Sequence, residues 1–432
     1  VLEGDAVTEW KEALDNYRQA KDYTFDVNFD DVRFGYWGQA NDLARVESNP
    51  MGYKDDKTAR FRSLGEATWR EVLGYSPAEP GLTRALEIND TQVSAGGWPD
   101  LAPVLVLRNM GCDKVVFVTR EGGEQGFGSQ VAELLGMEAA LFTPSGTMAN
   151  QLAIRTVCEP GDEILCHRDS HILHYETGGP AALSGCIVTT LDGGDDLPRG
   201  VFGGELVEQS VRPLDQHDPV TRMVVVENTV NRAGGVPWSL EAFGDVAAAA
   251  VSRGLHVHVD GARLWNACVA CGYSPSEFLA DADSCSVCFS KGLGAPVGSA
   301  LAGSAAFIAR ARRFRKMFGG AMRQVGLLAA GALFAVDHQL DRLVEDHAHA
   351  MRLAAALSAM PGVEVEPPPG GIRTNMVFLK TNGDASDLCA RLEARGVRMI
   401  PMGRGRVRAV LHLDVDEAGL DRAIEAIGAA LA

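Results

Sequence analysis

The stretch Cys288-Phe289-Ser290-Lys291-Gly292-Leu293-Gly294 decides the fold. Its apolar lead-in reads as a buried strand, and it delivers one lysine into a glycine-rich turn. Only three lysines lie beyond Lys114, namely Lys291, Lys316 and Lys380, in a chain that otherwise favours arginine. A lysine at the end of a core strand therefore calls for a chemistry that arginine lacks. A desolvated amine loses its proton and forms a Schiff base, whereas a guanidinium does not. The competing reading is a lysine that snorkels from the strand end to water.

Outward from that turn, residues 130–300 alternate short apolar runs with helical stretches. Strands are expected at Glu138–Phe142, Glu163–Cys166, Cys186–Thr190, Arg222–Val226, Leu255–Asp260 and Ser284–Ser290. Helices are expected at Thr147–Cys158, Pro180–Ser184 and Leu240–Arg253. This rhythm predicts an α/β fold, a mostly parallel sheet with helices on both faces. Ligands of such sheets gather at the carboxyl ends of the strands.

Three further motifs fall at those ends. In Pro144-Ser145-Gly146-Thr147-Met148-Ala149-Asn150 a strand turns directly into a helix. The open N–H groups there, with two hydroxyls beside them, suit a phosphate; the simpler reading is an N-cap. No Walker lysine follows, so a nucleoside triphosphate is not indicated. Asp260 ends an apolar strand and needs a cationic partner, either Arg263 or a protonated heterocycle nitrogen. In the second case Arg263 is left to grip a substrate carboxylate. His171, after the strand Glu163–Cys166 and a short loop, suits stacking on a flat cofactor and acting as a base. Together these residues describe a pyridoxal phosphate site.

The segments Pro144–Ala149, Glu227-Asn228-Thr229, Asp260–Leu264, Ser290–Ser299 and Lys316-Met317-x-Gly319-Gly320-x-Met322-Arg323-Gln324 closely resemble the low-specificity L-threonine aldolases. These belong to the β-eliminating lyase group of fold-type-I pyridoxal phosphate enzymes. The resemblance runs from about residue 130 to the C-terminus. It implies that Lys291 carries pyridoxal 5'-phosphate, that Ser145, Gly146 and Thr147 hold its phosphate, that Asp260 meets the pyridine nitrogen and that His171 stacks on the ring. It also implies that Lys316 and Arg323 reach the phosphate from a neighbouring subunit, in a homodimer or homotetramer with shared sites. Arg408, on the strand before His412-Leu413-Asp414-Val415, becomes with Arg263 a ligand of the substrate carboxylate; otherwise it is a cross-strand ion pair.

The implied reaction cleaves the Cα–Cβ bond of a β-hydroxy-α-amino acid to glycine and an aldehyde. The family usually has histidine after Glu-Asn-Thr, where it meets the substrate hydroxyl; here the residue is Val230, which forms no hydrogen bond. The family's N-terminal Arg-Ser-Asp-Thr element and Tyr-Gly loop are not recognisable either. A remodelled pocket wall follows, and with it an alternative reaction: transaldolase, β-eliminating or decarboxylative aldol chemistry on a specialised amino acid.

Composition sets the outer bounds. The 432 residues are 46% hydrophobic and 22% charged, as in ordinary globular proteins. A net charge of −17 argues against a nucleic-acid partner. No apolar run is long enough to span a membrane, and no signal peptide is visible. Nine scattered cysteines read as reduced thiols of a cytoplasmic protein. Cys268-x2-Cys271 and Cys285-x2-Cys288 imitate a zinc site, but an odd spacing on a strand turns Cys285 and Cys288 to opposite faces, so no metal is expected.

Three regions are expected. Residues 1–115 hold four of the six tryptophans and read as an accessory layer or lid, with a helix at Glu9–Lys21. Residues 116–360 form the large cofactor-binding domain and residues 361–432 a small C-terminal α+β domain. In this last part strands are expected at Gly362–Glu366, Asn375–Lys380, Arg398–Met402 and Val407–Leu413.

Overall fold

The computed structural model describes residues 123–431, except 324, 368–370, 372 and 404, together with six short strands between residues 24 and 94. The helix expected at Glu9–Lys21 lies outside the described residues, as does most of the layer expected over residues 1–115. The chain divides into two compact units, one of residues 1–127 and 322–330, the other of residues 128–321 and 331–432. In the first, Thr24–Asp26 pairs antiparallel with Glu66–Thr68. Phe61–Arg62, Arg33–Tyr36, Arg84–Ile88 and Thr91–Ser94 form a separate antiparallel sheet in that order.

The second unit is built on a seven-stranded sheet. Its strands are β1 (Ala139–Thr143), β2 (Glu163–His167), β3 (Ile187–Leu191), β4 (Thr221–Glu227), β5 (His256–Gly261), β6 (Ser284–Cys288) and β7 (Ser299–Gly303). The order across the sheet is β1-β7-β6-β5-β4-β2-β3. Only β7 runs against its neighbours; β3, β2, β4, β5 and β6 are parallel. Strands β2, β6 and β7 are buried along their whole length, as helix-covered strands must be.

The six expected strands are present within two residues at each end. Strand β7 was not foreseen. Its sequence, Ser299-Ala300-Leu301-Ala302-Gly303, is small-residue and shows no alternation. It is stabilised by pairing on both edges rather than by its own propensity. Helices α1 (Gly146–Val157) and α2 (Ala305–Met317) pack on β1 and β7 through Leu141, Leu152, Leu301 and Ile308.

The register across β6, β7 and β1 positions the site. Cys288 lies opposite Ser299, and Ser299 opposite Thr143. The end of β6, the start of β7 and the end of β1 therefore share one row. The Lys291 turn and the N-terminus of α1 emerge from the same sheet edge, although about 145 residues separate them.

A second sheet is wholly antiparallel. It orders β8 (Glu364–Glu366), β9 (Met376–Lys380), β11 (Arg406–Val410) and β10 (Ile400–Pro401). Leu353, Leu357, Leu388, Leu420 and Ile427 from three helices cover it against Val377, Leu379 and Val407. No helix among the described residues is long and apolar enough to cross a membrane.

Candidate active site

Asn150, on the second turn of α1, is the hub of a buried polar network. Its Nδ2 donates to Asp260 Oδ2 at 2.8 Å and to Glu176 Oε1 at 2.9 Å. Its Oδ1 accepts from Ser286 Oγ at 2.7 Å and meets His258 Nε2 at 3.2 Å. The amide is thus used on all four sides, and reversing it would aim oxygen at two carboxylates. Burial pushes His258 down to about 3, so its ring is neutral and Nε2–H is available to donate.

Glu176 fixes His171. Its Oε1 meets His171 Nδ1 at 2.9 Å, while its Oε2 accepts from Gln151 at 2.6 Å. The second ring nitrogen of His171 has no protein partner among the described residues. Burial works against charge on His171, but Glu176, Asp260 and Glu227 outweigh it and hold the pKa above the ordinary histidine value. His171 follows β2 and a short loop and opens the short helix His171–His174.

Glu227 ends β4 directly opposite Asp260 on β5. It is buried, and its two oxygens accept main-chain N–H groups: His171 N at 2.7 Å and Asn231 N at 2.8 Å. Burial and the nearby Asp260 charge push it up to about 7, against the pull of those two donors.

Arg263 does not pair with Asp260, as one sequence reading had it. Asp260 uses Asn150 and the main-chain N–H of Ala262, at 3.2 Å to Oδ1. The Arg263 Nε is buried with no hydrogen-bond partner among the described residues. Burial, and then the adjacent charge of Arg408, push Arg263 down to about 10. Arg408 makes no cross-strand ion pair among the described residues; it faces Phe378 and Ile400 in register and donates to Asn231 Oδ1 at 2.7 Å. Its Nε is likewise buried and unpaired among them. Two guanidiniums, one close enough to weigh on the other and each with an unpaired Nε among the described residues, offer a site for an anion.

The lysine turn is anchored on both sides. Phe289 N donates to Gly298 O, and Ala295 N to Phe289 O, each at 3.0 Å. Gly294 and Gly298 hold φ of 71° and 121°, a region that favours glycine. Lys291 is half-buried and has no hydrogen bond or ion pair among the described residues. Ser145 caps α1, accepting Met148 N at 3.2 Å, and the main-chain N–H groups of Gly146 and Thr147 open the helix. A Cβ on Gly146 would lie 2.8 Å from Cys288 Sγ, so this glycine lets α1 approach the end of β6.

Lys316 is exposed in the last turn of α2, and Arg323 is exposed within the first unit. Gln324, the last residue of their motif, lies outside the described residues. Among the cysteines, Cys285 faces Gly261 while Cys288 faces Gly146, so the two do turn to different neighbours. Three ligand-type side chains cluster among the described residues, His171, Glu176 and Asp260, with atoms within 4.8 Å of one another; Asn150 already bonds both carboxylates, and Gln151 bonds Glu176. Sequence reasoning did not single out Asn150, Glu176, Glu227 or Asn231. Three of them stand within or beside quoted motifs, but nothing local marks a side chain whose partner is a hundred residues away.

The donor set fits pyridoxal phosphate. An unpaired lysine, a buried carboxylate held at the sheet edge, an imidazole with one open nitrogen and an open helix N-terminus match its aldehyde, ring nitrogen, ring face and phosphate. The architecture is that of the fold-type-I pyridoxal phosphate enzymes. A solved Leishmania major threonine aldolase superposes with a TM-score of 0.63 at 19% identity, over 77% of this chain and 97% of that one.

The beta-eliminating lyase family model matches residues 125–382. A probable low-specificity L-threonine aldolase 2 of Arabidopsis thaliana is 39% identical over 299 residues, spanning 68% of this chain and 83% of its own. The low specificity L-threonine aldolase of Escherichia coli K12 is 38% identical over 290 residues, spanning 67% and 83%. The chain belongs to the beta-eliminating lyase family and depends on pyridoxal phosphate.

Proposed function

We propose that this enzyme cleaves the Cα–Cβ bond of a β-hydroxy-α-amino acid, releasing glycine and an aldehyde. The half-buried pair Arg263 and Arg408, each with a buried Nε that lacks a partner among the described residues, carries the substrate class, because it asks for a carboxylate. The reaction type is supported by relatives named L-threonine aldolases.

Bound pyridoxal phosphate supplies an electron sink for the pair released when a bond to the substrate Cα breaks. In this reading Lys291 holds the cofactor and Ser145, Gly146 and Thr147 meet its phosphate. Asp260, held in place by the Asn150 amide, faces the ring nitrogen. Arg263 and Arg408 orient the carboxylate and thereby choose which Cα bond breaks. His171 covers the ring and receives the β-hydroxyl proton at Nε2, directly or through water, while Glu176 holds Nδ1–H.

The same reading includes Lys316 and Arg323 reaching the phosphate of a neighbouring subunit, in a cytoplasmic homodimer or homotetramer. It also keeps residues 116–360 as the cofactor-binding domain and residues 361–432 as the small domain. The exposure of Lys316 and Arg323 is consistent with such sharing.

Val230 favours a second reading. It is 1% exposed, and its apolar side chain offers no partner to a substrate hydroxyl. Transaldolase, β-eliminating or decarboxylative aldol chemistry would not need that partner at this position. Glycine release from L-threonine, L-allo-threonine and L-phenylserine separates the two. Turnover establishes the aldolase. Absorbance changes on adding amino acids, without glycine release, point to the second reading.

A further inference from the structure

We infer that Glu227 is a positioning residue that ties the ring-covering His171 to the carboxylate-binding Arg408. The inference rests on the proposed roles of those two residues but not on which bond is broken. One Glu227 oxygen accepts His171 N at 2.7 Å, and the other accepts Asn231 N at 2.8 Å. The Asn231 side chain then accepts Arg408 Nη1 at 2.7 Å. A single buried carboxylate thus sets the main chain of two segments 60 residues apart in sequence. It makes no ion pair among the described residues, so its two acceptor bonds are what the position requires. The link also crosses from the large sheet to the small one, because Arg408 stands on β11. Through it, the atoms that cover the ring and those that hold the substrate keep a fixed spacing, which bond selection at Cα requires.

Among the described residues, no other side chain accepts from His171 N or Asn231 N. Alanine at 227 leaves both main-chain N–H groups unpaired. Glutamine keeps one acceptor and turns the other into a donor, so one of the two bonds must be lost. Alanine at 231 removes only the contact to Arg408 and leaves the Asn231 N–H in place.

The experiment compares cofactor-loaded wild type with Glu227→Ala, Glu227→Gln and Asn231→Ala. Glycine affinity is read from the visible absorbance shift, ring seating from the visible circular dichroism of the bound cofactor, and folding from Tm. Asn231→Ala is expected to weaken glycine binding about tenfold, the size of one hydrogen bond to a charged group, with the dichroism unchanged. Glu227→Ala is expected to move both readouts, and Glu227→Gln at least one. Adding Asn231→Ala to Glu227→Ala should weaken glycine little further, because both cut the same link. Variants that lower Tm but keep wild-type affinity and dichroism would overturn the inference. So would wild-type affinity in Asn231→Ala, a variant that leaves Glu227 in place. A wild type whose absorbance does not respond to glycine overturns the proposed substrate site and this inference together.

Discussion

Asn150 and Asp260, 110 residues apart in sequence, are joined by a 2.8 Å hydrogen bond from Nδ2 to Oδ2. The other hydrogen of the same amide goes to Glu176, so one side chain holds apart two carboxylates that would otherwise repel. Replacing Asn150 with alanine takes one partner each from two buried acceptors and two donors, and Glu176 Oε1 keeps only His171. We expect a loss of about 2–4 kcal/mol in urea unfolding and weaker cofactor retention. An unchanged unfolding midpoint would show that the network rearranges without cost.

Lys291 has no protein partner among the described residues, so its replacement should disturb the fold little and the cofactor greatly. Lys291→Ala is expected to lose the visible absorbance of covalently held cofactor while keeping a Tm near that of wild type. A variant that kept the band would remove Lys291 from its role.

The His171–Glu176 contact of 2.9 Å gives a pH signature. The folded-state pKa of His171 is raised, and the Glu176 hydrogen bond is the main cause that raises it. Its stabilisation is therefore fully present below the unfolded histidine value of about 6.5 and fades as pH rises through the folded pKa. Glu176→Gln should cost more stability near pH ~5.5 than near pH ~9. Nuclear magnetic resonance titration should place the His171 ring below its wild-type pKa. Equal losses at both pH values would show that the pair is not ionic.

Val230 is packed where a larger side chain has no room. A Cβ on Gly200 would already lie 2.5 Å from Val230 Cγ1. Installing the family histidine by Val230→His should overpack this contact and lower stability by about 1–3 kcal/mol in thermal or chemical unfolding. A variant as stable as wild type would mean that the Gly200 segment yields.

The approach of α1 to β6 depends on Gly146. Its replacement by alanine sets a Cβ 2.8 Å from Cys288 Sγ and should displace the helix N-terminus. The cofactor dissociation constant should rise for Gly146→Ala and recover in part when Cys288→Ala is added. Loss without recovery would place the fault elsewhere than in this contact.

Much of the fold was legible in the chain itself. Apolar runs of strand length separated by amphipathic helices fix a mostly parallel sheet, because each run must be covered on both faces. Lys291, Asp260, His171 and the Ser145–Thr147 turn were recognisable because each breaks an apolar pattern at a strand end. Local pattern also set the limits. Strand β7 carries small residues without alternation, and it became a strand only because β1 and β6 each offered an edge.

The partners of the site residues were decided by tertiary structure. Sequence left Asp260 with two possible partners, and the fold gave it Asn150 and the Ala262 N–H. Arg408 was open between a cross-strand ion pair and a ligand role, and the fold gave it Asn231. Glu227 drew notice only as part of a motif, because its acceptors matter through main-chain N–H groups that every residue carries. Periodicity and composition record whether a side chain is buried. Which polar group satisfies it depends on distances between segments far apart in sequence, and these exist only once the sheet has closed its register.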